Sequence, residues 1–282
     1  MARLTVVGSV NLDLVMRVAR MPVAGETVTD GTFSRHPGGK GANQALAASR
    51  LGAAVSLVAA VGNDEAAGAA LRLLEESGVD LTRCRADETS ATGLAMILVD
   101  SQGENQIAVA PGANRSLTVE DLGLRIDEAM LCQLEIPMEI VRAAAAMTTG
   151  FFGLNAAPAR PVPKEVLERA DLIVVNEVEY ATLGDELRDV SGLVAVTLGS
   201  AGATLYRKGE VLAEAGAPVV AVVDTVGAGD CFVAALSVGL LDGLPPERAL
   251  QRAVIAGALA TTTAGAQESM PTAAQVDSMM PS

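Results

Sequence analysis

The 282-residue chain has a formal net charge of −14, and half of its residues are hydrophobic. An acidic excess of this size argues against nucleic acid or an anionic membrane as the main partner, because both bind basic surfaces. The apolar content is ample for the core of one large α/β domain. The first residues lack a signal-peptide pattern, and no apolar run reaches the ~18 residues of a membrane span. We therefore expect a soluble, cytoplasmic protein.

The three cysteines, Cys84, Cys132 and Cys231, are odd in number and far apart along the chain. A framework of disulfides is therefore not expected. His36 is the single histidine, which argues against a Cys–His nucleophile pair. We predict that Cys231 is a small buried thiol.

The chain begins with a predicted buried strand at residues 4–8, which ends in a turn before Asn11 and Asp13. In doubly wound sheets, ligands bind beyond the carboxyl ends of the strands, so both residues are candidate ligand contacts. The alternative is that they form turns by bonding their own backbone, as Asn and Asp commonly do.

Two short strands are predicted at residues 14–18 and 27–33, with Pro22 and Gly25 between them. They are too close together for a parallel crossover and favour a small antiparallel flap apart from the main sheet. A second pair, at residues 94–99 and 106–110 about a polar turn, is assigned to the same flap. We thus expect one domain over residues 1–282, with a discontinuous β-lid made by about 14–34 and 93–111.

A glycine cluster at residues 37–41 opens a helix that is predicted to run to about Leu51. Its glycines allow a ligand to approach the backbone closely, while Lys40 and Asn43 supply directional donors. The cluster is not a P-loop, because Gly-x-x-x-x-Gly-Lys-Ser/Thr is absent. It suits a polyhydroxy ligand as well as a phosphate.

Strands and helices alternate in the rest of the chain. A strand at 55–61 precedes a helix at 65–77, which Gly78 ends. Further strands are predicted at 131–134, 151–154, 172–175 and 193–198, with a hairpin at 203–207 and 210–213. Acidic or amide residues follow several of these strands, as in a site at the edge of a parallel sheet. The tail past Pro271 is predicted to be loosely held.

Residues 219–223 are predicted to form a strand, and the segment Asp-Thr-Val-Gly-Ala-Gly-Asp follows at 224–230 before a helix to about Leu241. Two glycines at the start of a helix leave backbone N–H groups uncovered at the positive end of its dipole, which makes an anion site. Asp230 beside a bound polyphosphate is suited to take a proton from an attacking hydroxyl. Alternatively, Asp230 is only the helix N-cap.

These motifs, in this order, resemble the pfkB-type carbohydrate kinases, the ribokinase family, over nearly the whole chain. Residues 38–45 resemble the amino-terminal signature of the family and residues 224–230 its carboxyl-terminal signature. Residues 155–159, 176–179 and 197–200 match segments between them. The resemblance implies an α/β ribokinase-like fold, with a central, mostly parallel sheet, helices on both faces and a small β-sheet lid.

The activity implied by the resemblance is ATP-dependent phosphorylation of the primary hydroxyl of D-ribose to give ribose 5-phosphate. Alternatives are a related kinase for 2-deoxyribose, fructose or a nucleoside, or a non-catalytic sugar-binding protein of the same fold. A dinucleotide oxidoreductase is less favoured, because no Gly-x-Gly-x-x-Gly follows the first strand.

The resemblance also assigns residues to each part of the site. The expected sugar contacts are Asn11, Asp13, Gly39, Lys40, Asn43 and Glu135. Asp230 is the expected general base, and the N–H groups of Gly227, Ala228, Gly229 and Asp230 would stabilise the transferring phosphoryl. The expected ATP-binding residues are Asn176, Thr197, Gly199, Ser200, Gly202 and Gly229.

Two cations are implied as well. Mg²⁺ would be organised by Asn176 and Glu179, often through water. A monovalent cation, normally K⁺, would bind at Asp224, Val226, Ala260, Thr263, Gly265 and Ser269. The alternative for this last segment is a loop that only packs beside the site.

Two features depart from the family pattern. Only 20 residues separate Asn176 from Thr197, so residues 185–189 are interpreted as a shortened crossover. The asparagine that the family often has near adenine is absent from residues 252–259. We also expect a homodimer through the lid, because exposed strand edges pair readily.

Overall fold

The computed structural model describes residues 1–123 and 129–281 and contains two β-sheets. The strands are β1 (Arg3–Val7), β2 (Asn11–Arg17), β3 (Thr32–Gly38), β4 (Ala54–Gly62), β5 (Cys84–Asp87), β6 (Gly93–Val99), β7 (Asn105–Ala110), β8 (Met130–Cys132), β9 (Phe152–Asn155), β10 (Leu172–Asn176), β11 (Leu193–Thr197), β12 (Ala203–Arg207) and β13 (Glu210–Ala215). The α-helices are α1 (Lys40–Arg50), α2 (Glu65–Glu76), α3 (Met138–Met147), α4 (Lys164–Arg169), α5 (Glu177–Leu183), α6 (Ala228–Leu241), α7 (Pro246–Ala260) and α8 (Ala273–Ser278).

Within the described residues, the large sheet has nine strands in the order β13-β12-β11-β10-β9-β8-β1-β4-β5. It is parallel from β10–β11 through β5, and only the last two strands, β12 and β13, run antiparallel to their neighbours. From β1 the chain moves outward to β4 and β5, and it then returns to place β8 on the other side of β1. The strand order therefore reverses between β1 and β8, which in doubly wound sheets is the position of the ligand-binding crevice at the carboxyl ends of the strands.

Hydrophobic cores cover both faces of this sheet, which is why its central strands are apolar at most positions. Along β10, Leu172 and Val174 join one core, whereas Ile173 and Val175 join the other. The first core packs the sheet against α1, α2, α6 and α7, and the second packs it against α3, α4 and α5. The predicted α/β fold with helices on both faces is confirmed.

The small sheet has the order β3-β2-β6-β7. Its hairpins β2–β3 and β6–β7 are antiparallel, while β2 and β6 pair in parallel. The strand predicted at 27–33 is misplaced, because β3 begins at Thr32 and runs into the glycine cluster to Gly38. This register pairs β3 with the whole of β2, from Asn11 opposite Gly38 to Arg17 opposite Thr32. Pro37 is tolerated in β3 because an edge strand need not donate on both sides.

Four other segments differ from the sequence predictions. Residues 219–223 are not a strand: Val219, Val222 and Val223 are exposed, and β13 already forms the edge of the sheet. The short elements β5 and α4 were not predicted. The tail is more ordered than expected, because a capping box between Thr272 and Gln275 begins α8.

The shortened crossover between β10 and β11 consists of α5 and a 3₁₀ turn at Gly184–Arg188, with Leu187 buried beneath it. The three cysteines form no disulfide. Over residues 1–123 and 129–281, no helix is both long and apolar enough to cross a membrane.

Candidate active site

The centre of the candidate site is Asp230, in the first turn of α6. Its side chain is 7 % exposed, and the N-cap position of the helix is occupied by Gly227 in a left-handed conformation with φ of 82°. Asp230 is therefore not the N-cap residue. Because α1 packs against α6, the carboxylate faces the start of the helix that follows the glycine cluster.

Both carboxylate oxygens of Asp230 accept a hydrogen bond from α1. Asn43 Nδ2 donates to Oδ2 at 2.9 Å, and Gln44 Nε2 donates to Oδ1 at 2.9 Å. Burial raises the pKa of Asp230, while Lys40 and these two amides oppose that rise by favouring the ionised form. A buried carboxylate with a raised pKa and fixed orientation is suited to accept a proton.

Glu135 lies just beyond β8 and holds the start of α1 in place. Its Oε2 accepts from the backbone N–H of Lys40 at 3.1 Å and from the Ser9 hydroxyl at 2.5 Å. The pKa of Lys40 lies above its usual value, chiefly because of the Asp230 carboxylate and also because of Glu135. The ammonium of Lys40 thus belongs to a cluster that is predominantly acidic.

Asn11 and Asp13 lie on β2, in the small sheet, and both are buried. Asn114 Nδ2 donates to Asn11 Oδ1 at 2.8 Å, which fixes the orientation of the Asn11 amide. Burial and the nearby Glu135 carboxylate raise the pKa of Asp13 to about 7. A Cβ atom at Gly38 would lie 2.3 Å from Asp13 Oδ2, so a larger residue there would displace the carboxylate.

Glycine is required where α1 crosses the end of β1. Gly39 has φ of 89°, and a Cβ atom there would lie 2.7 Å from the backbone nitrogen of Asn11. At Gly41 it would lie 2.5 Å from the carbonyl carbon of Gly8. The close crossing brings the start of α1 against Asn11, at the crevice between β1 and β8.

A cavity of about 520 Å³ adjoins the α6 N-terminus, where Thr225, Ala228 and Gly229 line it. Five of the six residues predicted to bind nucleotide line it, namely Thr197, Gly199, Ser200, Gly202 and Gly229, and Asn176 is not among the lining residues. Most of the remaining wall is apolar and comes from residues 217–222, Phe232 and α7. The cavity and Asp230 thus lie at the same helix N-terminus.

Asn176 and Glu179 bond to each other in a capping box at the start of α5. The Glu179 N–H donates to Asn176 Oδ1 at 2.8 Å, and the Asn176 N–H donates to Glu179 Oε2 at 2.8 Å. Burial raises the pKa of Glu179. In the described part of the chain, no three His, Cys, Asp or Glu side chains are grouped so that they could hold a metal ion. A Mg²⁺ ion here would depend on water and phosphate for most of its ligands, as Mg²⁺ usually does.

The segment predicted to bind a monovalent cation packs beneath the α6 N-terminus. Asp224 accepts from the backbone N–H groups of Val226 and Gly265, each at 3.1 Å. The Thr261 carbonyl accepts from the backbone N–H of Val223 at 2.8 Å. The structure thus brings Asp224, Val226 and Gly265 together. Three further predicted residues lie on the same carboxyl-terminal segment: Ala260, Thr263 and Ser269.

Several residues that shape the site were not singled out from the sequence. Gln44 holds Asp230, Asn114 holds Asn11, and Ser9 links Glu135 to the glycine cluster. Gln44 directly follows Asn43, and Asn114 comes shortly after the strand predicted at 106–110, so both lie close to predicted features. Their roles depend on which strands are neighbours, which the local sequence does not encode.

Cys231 directly follows Asp230 and is fully buried. Its Sγ donates to the Ala256 carbonyl at 3.4 Å, and burial raises the pKa of the thiol. The expectation of a small buried thiol agrees with this environment.

The fold and the site define a class of protein: an α/β phosphotransferase that uses an alcohol group as acceptor. The family model for pfkB family carbohydrate kinases matches residues 1–273. The chain belongs to this family.

The chain is similar in sequence and in structure to ribokinases. The ribokinase of Bacillus subtilis is 36 % identical over 294 residues, covering 99 % of this chain and 100 % of that protein. The ribokinase structure from Thermotoga maritima has a TM-score of 0.88 at 31 % identity, and 99 % of each chain is covered. The Arabidopsis thaliana ribokinase structure, a complex with ribose and ATP, has a TM-score of 0.87 at 30 % identity, with 99 % of this chain and 98 % of that chain covered.

Proposed function

We propose that this protein transfers the γ-phosphoryl group of ATP to the primary hydroxyl of D-ribose, giving ribose 5-phosphate and ADP. The observation that carries the proposal is the placement of Asp230. It is a buried carboxylate with both oxygens fixed by amide donors, at the helix N-terminus that also borders the nucleotide-sized cavity. The similarity to ribokinases, one of them solved with ribose and ATP, supports the choice of substrates.

The sugar would occupy the crevice between β2 and the start of α1. Asn11, Asp13, Lys40, Asn43 and Glu135 offer the donors and acceptors that a polyhydroxy ligand requires. Asn43 Oδ1 is buried without a hydrogen-bond partner in the described structure, so a sugar hydroxyl would satisfy it. Gly39 allows the start of α1 to lie against the backbone of Asn11, at the edge of this crevice. A sugar lacking a matching hydroxyl would leave buried polar groups unpaired and would be rejected on that ground.

In the proposed reaction, the sugar hydroxyl gives its proton to Asp230 as its oxygen attacks the γ-phosphorus. The new O–P bond forms in line with the bond that breaks, and ADP leaves with the electron pair. The N–H groups at residues 227–230 stabilise the negative charge on the transferring phosphoryl. Asp230 then releases the proton to solvent.

Mg²⁺ would be organised near Asn176 and Glu179, where it would offset the charge of the phosphates. K⁺ would be held by carbonyl and carboxylate oxygens of the segment from Asp224 to Ser269. In that position it would stabilise the loop beneath the α6 N-terminus without touching the sugar. Replacing K⁺ by a large organic cation at constant ionic strength should lower kcat, and an unchanged rate would remove this cation from the mechanism.

We further propose that the chain is one domain whose small sheet acts as a lid over the sugar. Two copies would pair through this sheet, since Ile107 and Val109 on its edge strand β7 are largely exposed. A cytoplasmic location fits an enzyme that consumes ATP.

The direct test is transfer of phosphate from ATP to a panel of ribose, 2-deoxyribose, fructose and nucleosides, measured by ADP release. We expect the highest kcat/KM for ribose, with 5-phosphate as the product by NMR. Preferential phosphorylation of a nucleoside or another sugar would identify a related kinase. Ribose binding without transfer to any acceptor would indicate a binding protein.

A further inference from the structure

A chain of buried amides connects Asp230 to the carboxyl ends of strands in the large sheet. Gln44 Nε2 donates to Asp230 Oδ1 at 2.9 Å and to Asn155 Oδ1 at 3.0 Å. Gln44 Oε1 accepts from Gln133 Nε2 at 2.6 Å. The Gln44 and Gln133 side chains are wholly buried, and Asn155 is 6 % exposed.

The backbone determines which way these amides face. The Val174 carbonyl in β10 can only accept, and Asn155 Nδ2 donates to it at 3.2 Å. Asn155 therefore presents its oxygen to Gln44. Ionised Asp230 also only accepts, so Gln44 must direct its Nε2 group toward both of them. The Gln133 donor then satisfies Gln44 Oε1, and no other orientation of Gln44 satisfies all three neighbours.

This arrangement favours the ionised form of Asp230 over the neutral acid. Among the described residues, the charged groups facing Asp230 are Lys40 from α1, which favours ionisation, and Glu135, Asp13 and Glu179, which oppose it. Because three of these groups oppose ionisation of Asp230 and one favours it, the two amide donors contribute significantly to keeping Asp230 ionised. Hydrogen bonds to a charged acceptor are among the stronger ones, and they weaken once that acceptor is protonated.

We propose that Gln44 is a positioning residue for the general base, fixing the rotation of the Asp230 carboxylate and holding it ready to accept the sugar proton. Asn155 and Gln133 hold Gln44 in turn, so the orientation of the base is set by β8, β9 and β10. This inference rests on the proposed kinase function. It adds that the large sheet controls the base through one amide that does not touch the sugar.

The test is Gln44→Met, which keeps the length of the side chain and removes both polar ends. We expect kcat to fall about 10–100-fold, with KM for ribose changing less than about threefold. The acid limb of kcat against pH, measured at saturating ribose so that sugar binding does not contribute, should move upward by about one pH unit, because the ionised base loses a donor. Ser237→Ala is the matched control. It removes a buried hydrogen bond on α6, the helix that carries Asp230, from Ser237 Oγ to the Val233 carbonyl, and should leave the pH profile unchanged.

A second variant covers the case in which Gln44→Met does not fold. Gln133→Met keeps the Gln44–Asp230 bond but removes the donor that holds Gln44, so it should move the acid limb in the same direction by a smaller amount. An unmoved acid limb in the variants that fold would overturn the inference, even if kcat fell. If the wild-type protein transfers no phosphate to any acceptor, the proposed function itself fails, which separates the two failures.

Discussion

Asp230 is the residue on which the proposed chemistry depends most directly. We predict that Asp230→Asn lowers kcat about 10²–10⁴-fold while ribose binding persists, because the amide keeps the shape of the side chain but cannot take the proton. Steady-state kinetics and calorimetric titration with ribose would measure the two quantities. Turnover within a few-fold of wild type would show that another group is the base.

Asp13 should make ribose binding depend on pH. Its pKa is raised to about 7 in the free protein, so the carboxyl is largely neutral below that value. Sugar hydroxyls donate to the ionised form, so binding below pH 7 must release a proton, and the affinity should fall about tenfold per pH unit as the pH decreases. Above pH 7 the affinity should be constant.

Calorimetry from pH 5.5 to 8.5 would measure this dependence. Asp13→Asn should bind ribose more weakly and without the slope below pH 7. Wild-type affinity that is constant over the whole range would show that Asp13 is already ionised or does not contact the sugar.

At the residue scale, the sequence motifs indicated the residues of the candidate site better than the residues that hold them in place. Lys40, Asn43 and Asp230 stand in short recognisable motifs, and the structure places Asn43 in hydrogen-bond contact with Asp230. Gln44 stands in the same motif as Lys40 and Asn43, residues 38–45, but its amide side chain neither titrates nor acts as a nucleophile. Its contact with Asn155 joins α1, which packs on β1 and β4, to the end of β9 two strands away from β1, and this is a consequence of strand order.

At the scale of elements, residues 219–223 show how an apolar run can mislead. A valine-rich stretch predicts a strand, yet here it forms an exposed wall of the cavity. Apolar side chains can be retained to contact a ligand as well as to fill a core, and periodicity alone does not distinguish the two. The strand predicted at 27–33 failed differently, because pairing with β2 determines where β3 begins.

The residues that line the same cavity predict that the site for the phosphoryl donor discriminates weakly between adenine and guanine nucleotides. Among the described residues, the lining of the cavity contains no Asn, Gln, His or charged side chain. The hydroxyl of Thr261, which also lines the cavity, already donates to the Ala258 carbonyl at 2.8 Å. An apolar pocket rejects a similar ligand poorly. We expect kcat/KM for GTP to lie within about tenfold of that for ATP, measured with ribose as acceptor. A preference for ATP above about a hundredfold would show that backbone groups of the cavity distinguish adenine from guanine.

At the scale of the whole molecule, the small sheet has an apolar surface that suits a second copy. Ile107 and Val109 are 56 % and 54 % exposed. The pairings of Asp13 with Ala95 and of Ala95 with Val109 place them on the same face of the sheet as Asp13. Closing this surface with a partner would also cover the sugar crevice.

We therefore predict a dimer at micromolar concentration by sedimentation. Ile107→Lys should shift it to monomer and weaken ribose binding. Val211→Lys is the matched control, because Val211 is 57 % exposed on β13 at the far edge of the large sheet. A wild-type protein that sediments only as monomer would contradict the prediction.

The buried position of Cys231 has a practical consequence. Alkylating reagents need a thiolate that solvent can reach, and Cys132 and Cys231 offer neither exposure nor an accessible ionised form. The rate at which these two sulfurs react with iodoacetamide would therefore follow transient opening of the folded chain. The alkylation rates of these two thiols would thus report local unfolding of the native core. One of them, Cys231, reports it directly beside the proposed base.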